Sequence, residues 1–311
     1  MDAAEPDMTN PRAERVKEVA RLATRTGRGK RRAFLAEGPQ AVREALSSHD
    51  EAASVGRRGI VQEVFATPEM LERHPDLGIL RDGVRLRTAT AEVVGAMGDT
   101  VTPQGVVAVC RIPETTLDGI FSEGPRLVAV LCRVQDPGNA GTILRAADAA
   151  GADAVVLTEG SVDIYNPKAV RSTVGSIFHL PIATSVPFAG LVEAATRAGI
   201  QLLAADGYGA VDLDALQDAS AGRRLSAPAA DAPDTPRLEE ATAWLFGNEA
   251  QGLAGAELAA AGHRVAVPLY GVAESLNVGT AATVCLYASA RAQRRAGPQS
   301  PPPEGRVPSG A

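Results

Sequence analysis

Asn139 and Arg145 are the first side chains whose types and spacing could hold a ligand. They lie in LVAVLCRVQDPGNAGTILRAADAAGA, where a buried strand ends near Leu131 and the turn QDPGN reverses the chain. Asn139 is expected at or near the N-cap of the following helix. A six-residue spacing on a helix separates the two side chains by about 9 Å along its axis and points them in different directions. Both therefore face something outside the helix, unless Asn139 only caps it and Arg145 is a solvated surface residue.

Two later segments also place polar residues after a strand. In ATAWLFGNEAQGL, Gly247 lets a flat ligand lie against bare backbone, and Glu249 holds a carboxylate over the site. The alternative is an ordinary turn, since glycine and asparagine commonly follow a strand. In VAVPLYGVAESLNVGTAATV, Ser275 could cap a helix while Leu276 and Asn277 face the occupant of the loop. A capped helix without any function explains that serine equally well.

The elements that must position these residues alternate along the chain. From Leu127 the apolar runs LVAVL, AVVL, QLLAA, ATAWLF and HRVAVPL alternate with helical patterns at about 139–150 and near 167–176, and a long helix covers SLNVGTAATVCLYASARAQRR. This alternation predicts an α/β domain with a parallel sheet, and parallel sheets place ligands at the carboxyl ends of their strands.

The composition and the pattern of apolar residues divide the chain into five segments. We expect a basic N-terminal extension at 1–29, a small α/β domain at 30–115 and the parallel-sheet domain at 122–295. Residues 217–238 within it are rich in alanine and proline and are interpreted as a surface insertion. Residues 296–311 are rich in proline and glycine and are expected to be disordered.

The composition excludes several classes of protein. Hydrophobic residues make up 45% and charged residues 22% of the 311 residues, as in soluble globular proteins. No apolar run spans a membrane and the first residues lack a signal peptide, so a cytoplasmic protein with no membrane partner is expected. The three cysteines are far apart and are expected to be buried, and the four histidines form no ligand motif. Nothing in the sequence calls for a metal.

The chain carries a net charge of -6, but its basic residues cluster near the N-terminus. Residues 11–35 contain nine basic and two acidic residues, a local charge of +7. Arg28, Lys30, Arg31 and Arg32 in GRGKRR are therefore interpreted as an arm that contacts RNA phosphates. A solvated basic helix face is the alternative. Aromatic residues are only 4% of the chain, so recognition by base stacking is not indicated.

The three segments together resemble a known family. DPGNAGTILRAADAAGA, LFGNEAQGL and VPLYGVAESLNVGTAA are similar to the three motifs of the SpoU (TrmH-like) RNA 2'-O-ribose methyltransferases of the SPOUT superfamily. FLAEGPQAVREAL and TPQGVVAVC resemble the substrate-binding module that often precedes them. The resemblance covers residues 30–292 apart from the Ala/Pro-rich insertion. It implies methyl transfer from S-adenosyl-L-methionine to a ribose 2'-hydroxyl, and the N-terminal module favours ribosomal over transfer RNA.

The resemblance also implies a deep trefoil knot and a homodimer that builds each active site from two chains. The cofactor would bind bent at the knot, largely to backbone groups. The positions implied as cofactor-binding are Phe246, Gly247, Val267, Pro268, Leu276 and Asn277. Those implied as catalytic are Asn139, Arg145, Glu249, Ser275 and Asn277.

Family proposals make the motif-one arginine the general base, but a guanidinium is effectively always protonated. We therefore expect Arg145 to bind the phosphate beside the target ribose and to stabilise developing charge, while Asn139 and Glu249 orient the nucleotide. Gly279 and Thr280 depart from the family, which usually has serine and a small apolar residue there. Gly279 is expected to loosen the start of the last helix.

Two other readings stay open. An ordinary Rossmann-type enzyme is disfavoured, because no GxGxxG follows the first strand and no phosphate-binding GxxxxGK occurs. A catalytically inactive RNA-binding or ribosome-assembly factor with the same fold is disfavoured by the intact catalytic positions.

Overall fold

The computed structural model describes residues 6–100, 102–225 and 235–296, and they form two α/β domains. The N-terminal domain contains α1 (Glu14–Ala20), α2 (Arg25–Arg31), β1 (Ala33–Glu37), α3 (Pro39–Ser54), β2 (Val61–Ala66), α4 (Pro68–Arg73), β3 (Arg85–Thr88), α5 (Ala91–Met97) and β4 (Val106–Arg111). Its sheet has the order β1-β4-β2-β3, and only β2 and β3 are parallel neighbours.

The C-terminal domain is built on a seven-stranded sheet. Its elements are α6 (Leu117–Ser122), β5 (Leu127–Leu131), α7 (Pro137–Ala150), β6 (Ala154–Thr158), α8 (Pro167–Thr173), β7 (Ile182–Val186), α9 (Phe188–Ala198), β8 (Gln201–Ala205), β9 (Val211–Asp212), α10 (Leu213–Leu225), β10 (Thr242–Phe246), α11 (Gly255–Ala260), β11 (His263–Ala266) and α12 (Val278–Ala296). The order is β7-β6-β5-β10-β8-β11-β9, and every pair of neighbours is parallel. The predicted parallel-sheet domain is confirmed.

The strands β5, β6 and β10 are apolar except for one terminal threonine in β6 and one in β10, because both faces of the sheet are covered. All five residues of each strand are buried. Helices α7 and α12 pack on one face, where the indole N–H of Trp244 donates to the buried hydroxyl of Ser289 at 2.9 Å. The loops that follow β5, β10 and β11 leave the sheet at the same edge, which brings the three motif segments towards one another.

Two helix starts differ from those expected. Asp136, not Asn139, caps α7, because its carboxylate accepts from the N–H of Asn139 at 2.8 Å. Asn277, not Ser275, caps α12, and its side-chain oxygen accepts from the N–H of Gly279 at 2.9 Å. In each case the capping side chain lies two or three residues before the backbone N–H from which it accepts, which is the usual spacing of an N-cap.

Gly279 does not loosen α12. It is buried against α7, and a Cβ at this position would lie 2.8 Å from the Thr142 methyl carbon. The missing side chain therefore allows the two helices to approach closely.

The boundary expected at residue 30 is wrong, and so is the assignment of Arg28 to an RNA-contacting arm. Residues 14–23 and 25–31 are helical, and Val16, Val19 and Leu22 are buried in the core of the N-terminal domain. The hydrophobic face of α1 thus belongs to that domain. Arg28 is only 4% exposed, so it cannot contact RNA as part of an open arm.

Arg28 instead joins the two domains. Its guanidinium donates to the carboxylate of Asp163 at 2.6 and 2.9 Å and to the carbonyl groups of Leu22 and Ala23 at 2.9 Å. Nearby, the ring of Phe34 packs against Tyr165 with centroids 4.9 Å apart.

A second set of contacts lies further along the same boundary. The Arg171 guanidinium donates to the Glu37 carboxylate at 3.0 Å, and His179 bridges Glu44 and Asp148 at 3.2 and 2.8 Å. The hydrogen bonds to Asp148 and then to Glu44 raise the pKa of His179 against the opposing effect of burial.

The segment interpreted as a surface insertion is in part core. Its first residues, 217–225, continue α10, where Ser220 is buried, and Leu238 at its end is fully buried. Residues 226–234 lie outside the described chain, as do residues 297–311 of the expected disordered tail. Among the described helices, none has the length and apolar character to cross a membrane.

Replacing Arg28 with alanine should destabilise the protein by about 3 kcal/mol, because it leaves Asp163 and two carbonyl groups without their partner. The matched change Lys30→Ala removes an equally charged but exposed side chain and should alter stability by less than about 0.5 kcal/mol. Urea unfolding measures both. Equal effects of the two substitutions would contradict the structural role of Arg28.

Candidate active site

The side chain of Asn139 connects all three motif segments. Its amide nitrogen donates to the Glu249 carboxylate at 3.1 Å, and its amide oxygen accepts from the amide nitrogen of Asn277 at 3.0 Å. These residues come from the loops after β5, β10 and β11. Three of the five predicted catalytic residues therefore lie in one hydrogen-bonded chain.

Glu249 is held over the start of α7. Its carboxylate accepts from the backbone N–H groups of Asp136 and Gln135 at 3.3 and 3.4 Å, in addition to the Asn139 amide. The side chain is exposed, so these bonds orient it while leaving it open to a ligand.

Asn277 has two tasks at once. Its side-chain oxygen caps α12, and its side-chain nitrogen binds Asn139. Both tasks are possible because an amide carries an acceptor and a donor on one planar group. The start of α12 is thereby fixed relative to the start of α7.

Arg145 and Ser275 stand outside this chain of hydrogen bonds. Both side chains are exposed, and neither has a hydrogen bond or ion pair within residues 6–100, 102–225 and 235–296. Arg145 projects from α7 with its guanidinium available to a ligand or to another protein chain.

The predicted cofactor positions divide into two groups. Phe246 is fully buried and its ring stacks on Trp244 with centroids 6.5 Å apart, so its side chain cannot line a surface site. Gly247 is also buried, and a Cβ there would collide with the backbone of Gly252 and Leu253. A glycine is needed at this position because the following loop folds back on it and leaves no space for a Cβ. Gly247 therefore does not offer the bare backbone surface for a ligand that the sequence predicts.

Val267, Pro268 and Leu276 lie where a ligand can reach them. Val267 and Pro268 are half-buried at the end of β11, and Leu276 is 36% exposed. Within the part of the chain that the structure describes, residues 268–276 make no backbone hydrogen bonds. Their N–H and C=O groups remain able to bind the edge of a planar heterocycle beside apolar side chains.

Two residues that sequence reasoning missed hold the motif-two loop. Arg133, just after β5, donates from Nε and Nη2 to the Glu257 carboxylate at 3.0 and 2.8 Å. Glu257 is only 5% exposed and also accepts from the N–H of Ala254 at 2.6 Å. Burial by itself raises the pKa of Glu257, but the bonds from Arg133 and Ala254 outweigh it and lower the pKa.

Arg133 also binds the beginning of this loop. Its carbonyl accepts from the Asn248 side chain at 3.0 Å, and its backbone has the left-handed conformation with φ 57°. A non-glycine residue rarely adopts this conformation without strong local contacts. No residue pattern marks Arg133 or Glu257, since an arginine and a glutamate 124 positions apart reveal nothing until the chain is folded.

The described residues contain no cluster of side chains suited to metal binding and no exposed thiol. They contain no group of three or more histidine, cysteine, aspartate or glutamate side chains able to hold a metal ion. Cys110, Cys132 and Cys285 are free and buried, as expected, and burial raises the pKa of each thiol.

A parallel sheet with three polar loops joined at one edge defines a class of ligand-binding α/β domain, and comparison with known proteins gives the family. Residues 126–287 match the SpoU rRNA methylase family, and residues 13–108 match the MRM3-like substrate binding domain. The chain belongs to the SpoU rRNA methylase family.

Several relatives share most of their length with this chain. The 23S rRNA (guanosine(2553)-2'-O)-methyltransferase RlmP of Bacillus subtilis is 36% identical over 88% of this chain and 95% of its own. The 23S rRNA (uridine(2479)-2'-O)-methyltransferase of Streptomyces viridochromogenes is 34% identical over 66% and 69%.

Solved structures agree with the fold. The S-adenosylmethionine-bound rRNA methyltransferase from Sinorhizobium meliloti aligns over 91% of this chain and 97% of its own, with 27% identity and a TM-score of 0.72. The SpoU methyltransferase AviRb from Streptomyces viridochromogenes, also in complex with S-adenosylmethionine, covers 90% and 98% with 28% identity and a TM-score of 0.70. The predictions of an RNA 2'-O-methyltransferase and of S-adenosylmethionine as its cofactor are confirmed.

Glu257→Ala should destabilise the protein by about 1–3 kcal/mol, because it removes the partner of a charged hydrogen-bonding group beside the motif-two loop. It should also weaken S-adenosylmethionine binding, since the loop from Asn248 to Ala254 loses its anchor. Glu193→Ala, which removes an exposed glutamate on α9, is the matched control. Chemical unfolding and calorimetric titration of the cofactor measure the two effects. A Glu257 variant as stable and as tight-binding as the control would show that the pair does not position the loop.

Proposed function

We propose that this protein transfers a methyl group from S-adenosylmethionine to a ribose 2'-hydroxyl of ribosomal RNA. The observation that carries the proposal is the hydrogen-bonded chain from Glu249 through Asn139 to Asn277, which joins the three motif loops at one edge of the parallel sheet. The named relatives act on 23S rRNA, and the N-terminal domain matches a substrate-binding domain.

The cofactor, when bound, supplies a methyl carbon that is already electrophilic. The free backbone groups of residues 268–276 and the side chains of Val267, Pro268 and Leu276 suit the adenosine part of the cofactor. We assign no side-chain contact to Phe246, and Gly247 contributes through the shape of its loop. The residues of the chain then have one main task, which is to align the 2'-oxygen with that carbon.

Asn139 and Glu249 are proposed to orient the nucleotide. Their mutual hydrogen bond fixes both side chains, and the exposed carboxylate of Glu249 can accept hydrogen bonds from ribose or base donors. Ser275 lies in the exposed loop before α12 and is proposed to contact the 2'-hydroxyl. The proton of this hydroxyl passes to solvent water as the bond from the 2'-oxygen to the methyl carbon forms and the bond from that carbon to the sulfonium breaks. Asn277 keeps this loop in place through its cap.

Arg145 is proposed to bind the phosphate beside the target ribose. Its exposed guanidinium has no partner among the described residues, so it is free to make a two-pronged contact with an anion. The positive charge would also stabilise the negative charge that develops on the 2'-oxygen. A role as general base is not supported, because a guanidinium keeps its proton in proteins.

A homodimer would complete the site. Arg145 shares an exposed face of α7 with Thr142 and Ala149, and the stripe Thr280, Val284, Tyr287 and Arg291 on α12 continues it. Tyr287 is 49% exposed, and its hydroxyl donates to the carbonyl of Ala149 at 3.4 Å across the two helices. This face combines the apolar residues Ala149 and Val284 with Tyr287 and arginines, a composition that suits a second copy of the chain, which would place Arg145 in the site of the partner.

A trefoil knot is proposed for the C-terminal domain. Strand β10 lies between β5 and β8 although it follows both in the chain, and α12 then returns to pack on α7 and β5. A knot requires the end of the chain to pass back through earlier segments, and the return of α12 to α7 and β5 supports such threading.

Contacts to RNA outside the site are proposed for Lys30, Arg31 and Arg32 of the N-terminal domain. All three are exposed, although Arg31 pairs with Glu18 at 2.9 Å and Arg32 with Glu114 at 3.6 Å. Surface ion pairs are weak, so phosphates can replace these partners.

The proposed activity predicts transfer of labelled methyl groups to 23S rRNA isolated from cells that lack this protein. Transfer RNA from the same cells should accept far less label, because the N-terminal domain matches a substrate-binding domain of rRNA methyltransferases. Mapping of 2'-O-methyl groups would identify the nucleotide. Label in transfer RNA alone would contradict the substrate, and no label in any RNA would favour an inactive RNA-binding factor.

Arg145→Ala is the catalytic control in this assay and should reduce kcat/KM by several orders of magnitude while leaving cofactor affinity unchanged. Arg145→Lys keeps the charge but loses the two-pronged geometry, so it should be nearly as inactive. Near-normal turnover of the alanine variant would exclude Arg145 from the site.

Complementation tests the shared active site. If Arg145 acts in the site of the partner, a mixed dimer of Arg145→Ala and Asn139→Ala chains contains one intact site, and co-expression of the two inactive variants should restore activity. Each variant alone, at the same protein concentration, is the control. A mixture as inactive as its components, although sedimentation shows mixed dimers, would place Arg145 and Asn139 of the same chain in one site.

A further inference from the structure

A cavity of about 300 Å³ lies where the two domains meet, away from the three motif loops. Its walls come from β1, α3, α5, residues 98–100 and 102–107, and the end of α8. This volume is at the lower end of the range for small-molecule sites, about 300–1,000 Å³. It suits a ligand of the size of one nucleoside.

The cavity has an apolar floor and a polar rim. Val94, Val106 and Val107 at the floor are buried, whereas Thr102 and Gln104 at the rim are exposed. Neither rim side chain has a hydrogen-bond partner among the residues that the structure describes. An amide that can both donate and accept therefore lies beside the apolar lining with its hydrogen-bonding groups available to a ligand.

The walls are fixed before any ligand arrives. Glu37, whose side chain is 5% exposed, accepts from Arg171 of the other domain at 3.0 Å. It also accepts from the N–H of Asp99 and the hydroxyl of Thr100, both at 3.0 Å. These bonds hold both domains and the rim segment together, so little ordering is required when a ligand enters.

One wall is strained. Val174 ends α8 with φ 51° and ψ 36°, a conformation that a β-branched residue rarely adopts, and its side chain is 47% exposed at the cavity. Strained residues of this kind cluster at ligand sites, where surrounding structure keeps them in place. An exposed valine held in this way presents an apolar surface to the cavity instead of packing into the core.

We propose that this cavity binds one unpaired nucleobase of the RNA substrate, next to but distinct from the methylated nucleotide. A base is neutral and planar, with donors and acceptors on its edge and apolar faces. The aliphatic walls fit its faces, and the free amide of Gln104 fits its edge. A phosphate fits less well, because the one cation in the wall, Arg171, already faces the two carboxylates of Glu37 and Asp99.

The position of the cavity connects it to the active site. The hydroxyl oxygen of Ser172, between wall residues Arg171 and Val174, lies 3.1 Å from the carbonyl oxygen of Pro137 and shares its one proton between that group and the carbonyl of Ala169 at 2.7 Å. Pro137 begins α7, which carries Asn139 two residues later. A base held in the cavity therefore fixes the RNA relative to the start of α7. Sequence-specific RNA recognition commonly uses unpaired bases that are turned out of the strand, and the low aromatic content of this chain favours a slot over a stacking platform.

This inference rests on the proposed rRNA methylation, and kinetics with 23S rRNA from cells lacking the protein test it. Gln104→Ala should raise KM for the rRNA about fivefold to tenfold, with KM for S-adenosylmethionine and thermal stability unchanged. Thr102→Trp, which blocks the rim, should have a larger effect of the same kind. Gln217→Ala on α10 is the matched control and should behave as wild type.

Chemical interference identifies the base. The rRNA is first modified at unpaired Watson–Crick edges with dimethyl sulfate or a carbodiimide, and methylated molecules are then separated from unmethylated ones. For the wild type, modification of one particular base outside the target nucleotide should block methyl transfer. For the Gln104→Ala variant, modification of the same base should reduce methyl transfer less. Wild-type kinetics in both cavity variants would overturn the inference, as would an equal rise in KM for the cofactor. An inactive wild type would overturn the proposed function itself, and this inference with it.

Discussion

The carboxamide of Asn139 is bound on both sides, to Glu249 through its nitrogen and to Asn277 through its oxygen. One planar group thus holds the loops after β5, β10 and β11 in a single arrangement. Asn277 is itself needed to start α12, so helix capping and site geometry depend on the same side chain. A change that releases this amide would loosen the link between Glu249 and the start of α12, although Glu249 keeps its bonds from the N–H groups of Asp136 and Gln135.

The two domains are joined by buried contacts that resemble a protein core. Arg28 and Asp163, Phe34 and Tyr165, and Arg171 and Glu37 lie along one boundary formed by β1 and α8. Because several of these groups are charged and buried, separating the domains would leave them without partners, at a cost of several kcal/mol. The N-terminal domain is therefore held in a fixed position relative to the active-site edge.

The secondary structure was predicted well where its signal is local. Continuous apolar runs such as LVAVL and ATAWLF became the central strands β5 and β10, because a parallel sheet covered on both faces needs no polar residue within a strand. The helix starts were placed two or three residues wrong, since Asp136 and Asn277 compete for the cap with neighbours of similar type. The basic N-terminal stretch was misread for a different reason. Its charge is visible in the sequence, but the burial of Val16 and Val19 on α1 and of Arg28 on α2 depends on partners from distant segments.

The sequence alone determined the family, the cofactor and the residue types at the active-site edge, because these are written as motifs of contiguous residues. Only the tertiary structure decided which of them meet. It joined Asn139, Glu249 and Asn277, and left Arg145 free on an exposed helix face. It also paired Arg133 with Glu257, which are 124 positions apart. Pairing at such separations depends on strand order, and strand order is fixed by packing of the whole sheet rather than by any local preference of the chain.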